Sequence, residues 1–300
     1  MKSKGNPQEY GIVLSGGGAR GLFAVQILKR LFAGGFDFSK IKYISGVSVG
    51  SIIGAMMAQG DWKILFEMFE QIKNKDVYNG KMTKWQGFKN RILGRRYILD
   101  IEPLHELLLK YISLEKAKAT GIIFHIGITD LNTGEYKTYT QNDFETNEDY
   151  IRCIMASCSQ PVIMEPQKFT TKWGNVINGA DGGVVTISPI KSVLNCNPDK
   201  LIIINSSSSV IRDVWGLKTL ESILLRTLDL AIAQSFKKDL EKFKEYNELY
   251  SGRKKAGKKY FEATIFETTL FEDSLDFDSE ALKKLRVSDA NSVFLKTYNP

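Results

Sequence analysis

The sequence predicts an α/β protein with a parallel sheet covered by helices. Two observations lead there. Residues 11–15 (Gly-Ile-Val-Leu-Ser) form a short apolar run of buried-strand type. A glycine turn at 16–21 and a helix over about 22–32 follow it, with Ala24, Ile27, Leu28 and Leu31 at helical spacing. The unit then recurs: strand at 41–45, turn at 46–50, small-residue helix over 51–59 ended by Gly60. Two successive strand–turn–helix units imply parallel strands with crossover helices.

The remaining elements follow in order. Residues 61–97 read as an irregular insert in which Trp62, Phe66, Phe69, Tyr78, Trp85, Phe88 and Tyr97 alternate with many cations. A helix is expected over 103–111. Strands at 122–129 and 135–140 flank an Asp-Leu-Asn-Thr-Gly turn and form a hairpin. A helix over 149–157 stops before Pro161, and 176–178 leads to Asp181. A buried strand is expected at 201–204. A long helix over 219–246 carries Leu220, Ile223, Leu224, Thr227, Leu228, Ala231 and Phe236 on one side. A strand at 261–268 and a short helix at 279–285 end the series. No repeat or linker is visible, so residues 1–300 are expected to be one domain.

Composition narrows the class. The chain is 43% hydrophobic and 25% charged, which excludes wholesale disorder. No apolar run reaches the ~18 residues of a membrane span, and the segment after Lys2 and Lys4 is too short for a signal core. Three cysteines (Cys153, Cys158, Cys196) cannot build a disulfide framework, so a reduced, cytoplasmic setting is expected. With two histidines besides, a zinc site is not expected, nor is any other metal or cofactor. The net charge of +7 is diffuse except at 253–259, where Arg253, Lys254, Lys255, Lys258 and Lys259 fall in seven residues of a basic loop spanning 247–259. Such a run suits an anionic lipid surface or simply a solvated loop. No nucleic-acid partner is expected.

Chemistry concentrates in three places. Gly46-x-Ser48-x-Gly50 between a strand and a helix has the nucleophile-elbow arrangement. A serine stands clear of a tight turn only when its flanking residues lack side chains, and the following helix start favours negative charge. The pattern alone would arise in such a chain about one time in ten, so its placement carries the argument. Gly16, Gly17, Gly18, Arg20 and Gly21 fit either a dinucleotide loop or an oxyanion hole. The dinucleotide reading requires an acid at the end of the second strand, where Ser45 stands instead. In the oxyanion reading Arg20 helps to hold the loop. A serine needs a base, yet His105 lies in a leucine-rich helix and His125 in an apolar strand, and both precede Asp181. The Ser–acid–His order of α/β-hydrolases is therefore not met. Asp181, followed by Gly182 and Gly183 in a tight turn, is the remaining candidate base.

Taken together, Gly-Gly-Gly-x-Arg-Gly at 16–21, Gly-x-Ser-x-Gly at 46–50 and Asp-Gly-Gly at 181–183 resemble the patatin-like phospholipase family. The first pattern alone should arise by chance in fewer than roughly one in a thousand such chains. Residues 129–135, Ala156-Ser157 with Pro161, and 273–277 also look like the family. The resemblance implies a three-layer α/β/α patatin-like domain with a mostly parallel central sheet. It further implies a Ser48–Asp181 dyad working through an acyl-enzyme, with the Gly16, Gly17 and Gly18 amides holding the oxyanion, and lipid acyl esters as substrate. One departure is visible: Val-Val-Thr-Ile-Ser-Pro at 184–189 stands where members often carry an asparagine. A peripheral contact with an anionic membrane is a further expectation. The alternative is a regulated effector of the same fold, closed until an unidentified activator binds.

Overall fold

The computed structural model describes residues 8–80, 97–208, 218–250, 259–268, 275–287 and 295–298. Its centre is a single sheet with the order β5-β6-β3-β2-β1-β7-β8-β9. The strands are β1 (Tyr10–Leu14), β2 (Ile41–Val47), β3 (Ile123–Asp130), β4 (Tyr136–Thr140), β5 (Gln167–Thr170), β6 (Val176–Asp181), β7 (Lys200–Asn205), β8 (Glu262–Thr268) and β9 (Leu295–Tyr298). The five central strands β3, β2, β1, β7 and β8 pair in parallel, while β4, β5, β6 and β9 join antiparallel.

Alternation along β1 divides the core. Ile12 and Leu14 join one apolar cluster and Val13 the other. Over the first face lie α1 (Gly21–Ala33), α2 (Val49–Ala58), α3 (Trp62–Gln71), the single turn α4 (Asn74–Val77), α5 (Glu102–Tyr111), α6 (Leu114–Ala119), α7 (Asn147–Cys158) and α10 (Glu280–Val287). The second face is covered by α8 (Ile190–Leu194) and the long α9 (Leu220–Tyr250). The predicted three-layer α/β/α arrangement with a mostly parallel sheet is what the chain adopts.

Three expectations need correction. Residues 62–77 are not irregular: they form α3 and α4, because Leu65, Met68, Phe69 and Ile72 recur at helical spacing and bury against the first face. Trp62 stacks on Phe38 at 4.2 Å and Phe66 lies at 6.3 Å from Phe32, so these aromatics pack within the protein. Residues 81–96, with Trp85 and Phe88, lie outside the described residues. On α9 the buried stripe is Ala233, Phe236, Leu240, Phe243, Asn247 and Tyr250; Phe236 was expected there, Ile223, Thr227 and Ala231 are exposed instead, and the side chains of Leu220, Leu224 and Leu228 lie outside the described residues. The helix continues to Tyr250, so the basic loop does not start at 247, and residues 251–258 lie outside the described residues. Strands β5 and β9, only four residues each, carried no sequence signal that separated them from loop.

Candidate active site

The site forms where β3 changes neighbours. Residues 125–127 of β3 pair with both β2 and β4, and residues 128–129 with both β4 and β6. A strand has two edges, so β6 must continue the edge that β2 leaves. Val47 pairs with Gly127 and Asp181 with Ile128, one residue further along. The residue after Val47 is Ser48. Adjacent register positions thus bring the serine and the aspartate together from segments 133 positions apart. They meet at the carboxyl end of the parallel strands, where α/β sheets place their ligand sites.

Ser48 has φ 55° and ψ −131°, a left-handed conformation rare outside glycine. Such strain costs on the order of 1–3 kcal/mol and persists only where the surroundings impose it. Here they do. A Cβ on Gly46 would sit 2.3 Å from the Gly50 carbonyl oxygen, and one on Gly50 would sit 2.4 Å from that of Leu14. The Ser48 N–H donates to Ser157 Oγ at 2.9 Å, and that hydroxyl donates to the Gly127 carbonyl at 2.6 Å. We expect Gly50→Ala to lower stability by about 1–3 kcal/mol, because the clash is with backbone that cannot yield. A thermal melt beside wild type checks this, and an unchanged melt would contradict the account.

Asp181 is 3% exposed and Ser48 6%. The Gly183 N–H donates to Asp181 Oδ1 at 2.7 Å. The aspartate backbone is anchored at both ends: its N–H donates to the Ser159 carbonyl at 2.9 Å, and its carbonyl accepts from Thr129 Oγ1 at 3.0 Å. Burial pushes its pKa up to about 6, against the opposing pull of the Gly183 N–H and the neighbouring Ser48 hydroxyl. Water is absent from most of the carboxyl's surroundings, so the charged form is disfavoured. A Cβ on Gly182 would meet the Gly127 carbonyl oxygen at 2.6 Å, which explains why the turn needs glycine there.

The glycine loop leans over the serine. A Cβ on Gly16 would lie 3.1 Å from the Ser48 Cβ. The Gly16 amide is already taken, however, because it donates to the Ile187 carbonyl at 3.2 Å. This narrows the expected trio of donors. Gly17 and Gly18, with φ 158° and 55°, donate to no acceptor among the described residues. Arg20 holds the loop from below: its Nε donates to the Gly17 carbonyl at 3.3 Å, and its guanidinium pairs with Asp229 of α9 at 3.1 Å. Gly21 packs under Val49, whose side chain would stand 2.4 Å from an added Cβ.

Neither histidine joins this group. His105 on α5 lies between Glu102 at 3.4 Å and Glu148 at 3.1 Å. His125 has Nε2 3.4 Å from Cys196 Sγ on the opposite face of the sheet, and burial lowers its pKa. Among the described residues, no cluster of three or more His, Cys, Asp or Glu could hold a metal ion.

An apolar cavity of about 40 Å³ adjoins Ser48, walled by Val49, Ile52, Phe69, Leu104, Met164 and Phe277. Sequence reasoning missed most of these walls. Phe277 belongs to a stretch singled out for its likeness alone. It reaches the cavity because Asn74 of α4 grips that stretch: Asn74 Oδ1 accepts from the Phe277 N–H at 2.7 Å, and the Asn74 amide side chain donates to Asp276 at 3.3 Å. Ile187 and Ser157 were missed as positioning groups too, although Ser157 lies in another of those stretches.

Comparison with known proteins supplies the family. The family model described as patatin-like phospholipase matches residues 12–194, well over half of the chain. The chain belongs to the patatin-like phospholipase family. That family is one of lipid acyl hydrolases, and the match spans the glycine loop, the elbow and the Asp-Gly-Gly turn. This patatin-like chain is 31% identical over 215 residues to protein R571 of Acanthamoeba polyphaga mimivirus, covering 69% of each. Among solved structures it is similar to VipD from Legionella pneumophila, with a TM-score of 0.40 and 15% identity over 69% of this chain and 51% of that one. It is also similar to human GIVD cytosolic phospholipase A2 in complex with methyl gamma-linolenyl fluorophosphonate, with a TM-score of 0.37 and 14% identity over 68% and 41%. The aligned part spans about half the length of these structures. No helix among the described residues is long and apolar enough to cross a membrane.

Proposed function

We propose that the chain is a serine acyl hydrolase that cleaves lipid acyl esters of the phospholipase A or lysophospholipase type through a Ser48–Asp181 dyad. The observation that carries this reading is the strand register that sets Ser48 beside Asp181, a buried carboxylate whose pKa is pushed up to about 6. A base with that pKa is ionised near neutrality yet holds a proton well enough to return it. Ser48 Oγ attacks the ester carbonyl while Asp181 takes its proton. The oxygen that becomes negative meets the Gly17 and Gly18 amides. Collapse expels the alcohol with the proton from Asp181 and leaves the acyl group on Ser48. Asp181 then deprotonates a water, which attacks the acyl-enzyme and frees the fatty acid. The apolar walls of the cavity beside Ser48 suit an acyl chain and nothing charged.

A histidine-free mechanism makes a plain prediction. His105→Gln and His125→Gln proteins should each hydrolyse a soluble p-nitrophenyl ester within about threefold of wild type, since neither imidazole touches the dyad. Loss of turnover in either folded variant would overturn the dyad.

One observation favours the regulated alternative. The cavity of about 40 Å³ holds a few waters but no acyl chain, and ligand sites usually offer about 300–1,000 Å³. The site must widen before a lipid enters. A membrane surface or a soluble activator would each serve, and the cations at 253–259 suit the former. Turnover that appears only on addition of anionic vesicles distinguishes the first from the second.

A further inference from the structure

On the second face of the sheet, α9 reaches the reaction site through two carboxylates ten residues apart, about 15 Å along the helix. Asp229 grips Arg20 and, through it, the Gly17 carbonyl. Asp239 has no such established partner. It sits between buried Phe236, Leu240 and Phe243, an unusual place for a carboxylate. Its Oδ2 accepts from the Ser188 N–H at 3.2 Å, on the peptide that Ile187 and Ser188 share. Among the described residues, it forms no ion pair within 4 Å.

Ile187 is the point where the two halves of the catalytic arrangement join. Its carbonyl accepts from Gly16, the first residue of the glycine loop. Its Cδ1 fills the spaces above Gly16 and Gly183, 2.5 Å and 2.7 Å from where Cβ atoms would stand. Gly183 in turn donates to Asp181. By holding the Ser188 amide, one carboxylate thereby fixes the peptide that follows a residue touching both the oxyanion loop and the turn of the base.

We propose that Asp239 is a positioning residue for ester hydrolysis, holding Ile187 and Ser188 so that the glycine loop and the Asp181 turn keep their reactive geometry. The inference rests on the hydrolase reading above. It also gives the Val-Val-Thr-Ile-Ser-Pro stretch at 184–189 a role: the Ile187 side chain and carbonyl make the contacts there, and the Ser188 amide is held by Asp239.

Asp239 has a second property that makes the role measurable. It lies on the wall of a cavity of about 800 Å³, and partial burial raises its pKa to about 6. The groups facing it are Lys238 and Lys242 of its own helix and Tyr136 of β4, which also feels Asp181. His125 of β3 and Lys191 of α8 line the same cavity. An ionised carboxylate accepts amide hydrogen bonds more strongly than a neutral one, so protonation loosens the grip. Full activity then needs Asp181 and Asp239 both ionised, and two ionisations shape its acidic limb.

The test uses the full chain, a soluble p-nitrophenyl ester and pH profiles from about 4.5 to 8. Wild type should lose kcat/KM below pH 6 more steeply than one ionisation allows, by up to about a further tenfold at pH 4.5. Asp239→Asn, whose amide oxygen still accepts one N–H, should keep kcat within about tenfold and show a slope of one. Asp239→Ala should lose about 10–100-fold in kcat with KM nearly unchanged, the scale expected for misplaced reacting groups. If Asp239→Ala does not fold, the slope of Asp239→Asn decides. A slope and kcat unchanged in Asp239→Asn, with an active wild type, would overturn the positioning role alone. A folded wild type that neither turns over the ester nor reacts with a fluorophosphonate would overturn the hydrolase reading, and this inference with it.

Discussion

Ser48→Ala is expected to lower ester hydrolysis on the order of 10⁴-fold or more while the protein stays folded. The variant removes the only atom that can form the acyl-enzyme. What remains is a polarised cavity with two amide donors and a base, which can at best assist water directly. The elbow itself should survive, because its shape is imposed by Gly46, Gly50 and the Ser48 N–H bond to Ser157 and not by the hydroxyl. Circular dichroism and a thermal melt check the fold, and turnover of a soluble ester checks the loss. Substantial hydrolysis by a folded Ser48→Ala protein would rule out the serine mechanism.

Asp181→Asn should act in two directions. Activity should drop by about 10²–10⁴-fold, the usual contribution of a positioned base. Stability should rise. In the unfolded chain this carboxyl ionises at its ordinary value of 3.8, and in the folded protein at about 6. The folded state therefore holds the proton more tightly, and stability falls as pH rises between those values. Above pH 6 wild type bears the full penalty of a buried charge, about 3 kcal/mol at about 1.4 kcal/mol per pH unit. The asparagine variant escapes it. Thermal melts should thus favour Asp181→Asn at pH 8, with the advantage fading by pH 4, where the side chain at 181 is neutral in both proteins. Equal melts at pH 8 would show that the carboxylate is not strained by burial. Wild-type kcat/KM should fall below pH 6, where the base becomes protonated.

Much of this architecture was legible in the sequence because glycine leaves a mark. Gly16, Gly46, Gly50 and Gly182 stand where an added Cβ would lie 2.3–3.1 Å from facing backbone or from Ser48, and no other residue fits. The three motifs therefore announced both the turns and the reacting side chains. The strands of the central sheet are buried on both faces and read as apolar runs, so they too were visible. What was hidden depends on partners distant in sequence. Ile187, Ser157 and Phe277 look ordinary until register and packing bring them to the site. Asp239 looks like one more charge on a charged helix, and only its neighbours Phe236 and Phe243 reveal that it faces inward. The α9 stripe was misplaced for the same reason. Ile223, Thr227 and Ala231 are exposed, and beyond the expected Phe236 it is Leu240 and Phe243 that join the cluster of β1, β7 and β8.

The central claim is that Ser48 is an activated nucleophile. The most direct measurement is mass spectrometry of the folded chain after treatment with a lipid-like fluorophosphonate, whose phosphorus takes the serine oxygen as fluoride leaves. Trypsin releases residues 43–63 as one peptide, which holds Ser45, Ser48 and Ser51. The account predicts one adduct, on Ser48, lost in Ser48→Ala and greatly slowed in Asp181→Asn. An adduct on Ser45 or Ser51, or equal labelling of the Ser48→Ala protein, would contradict it.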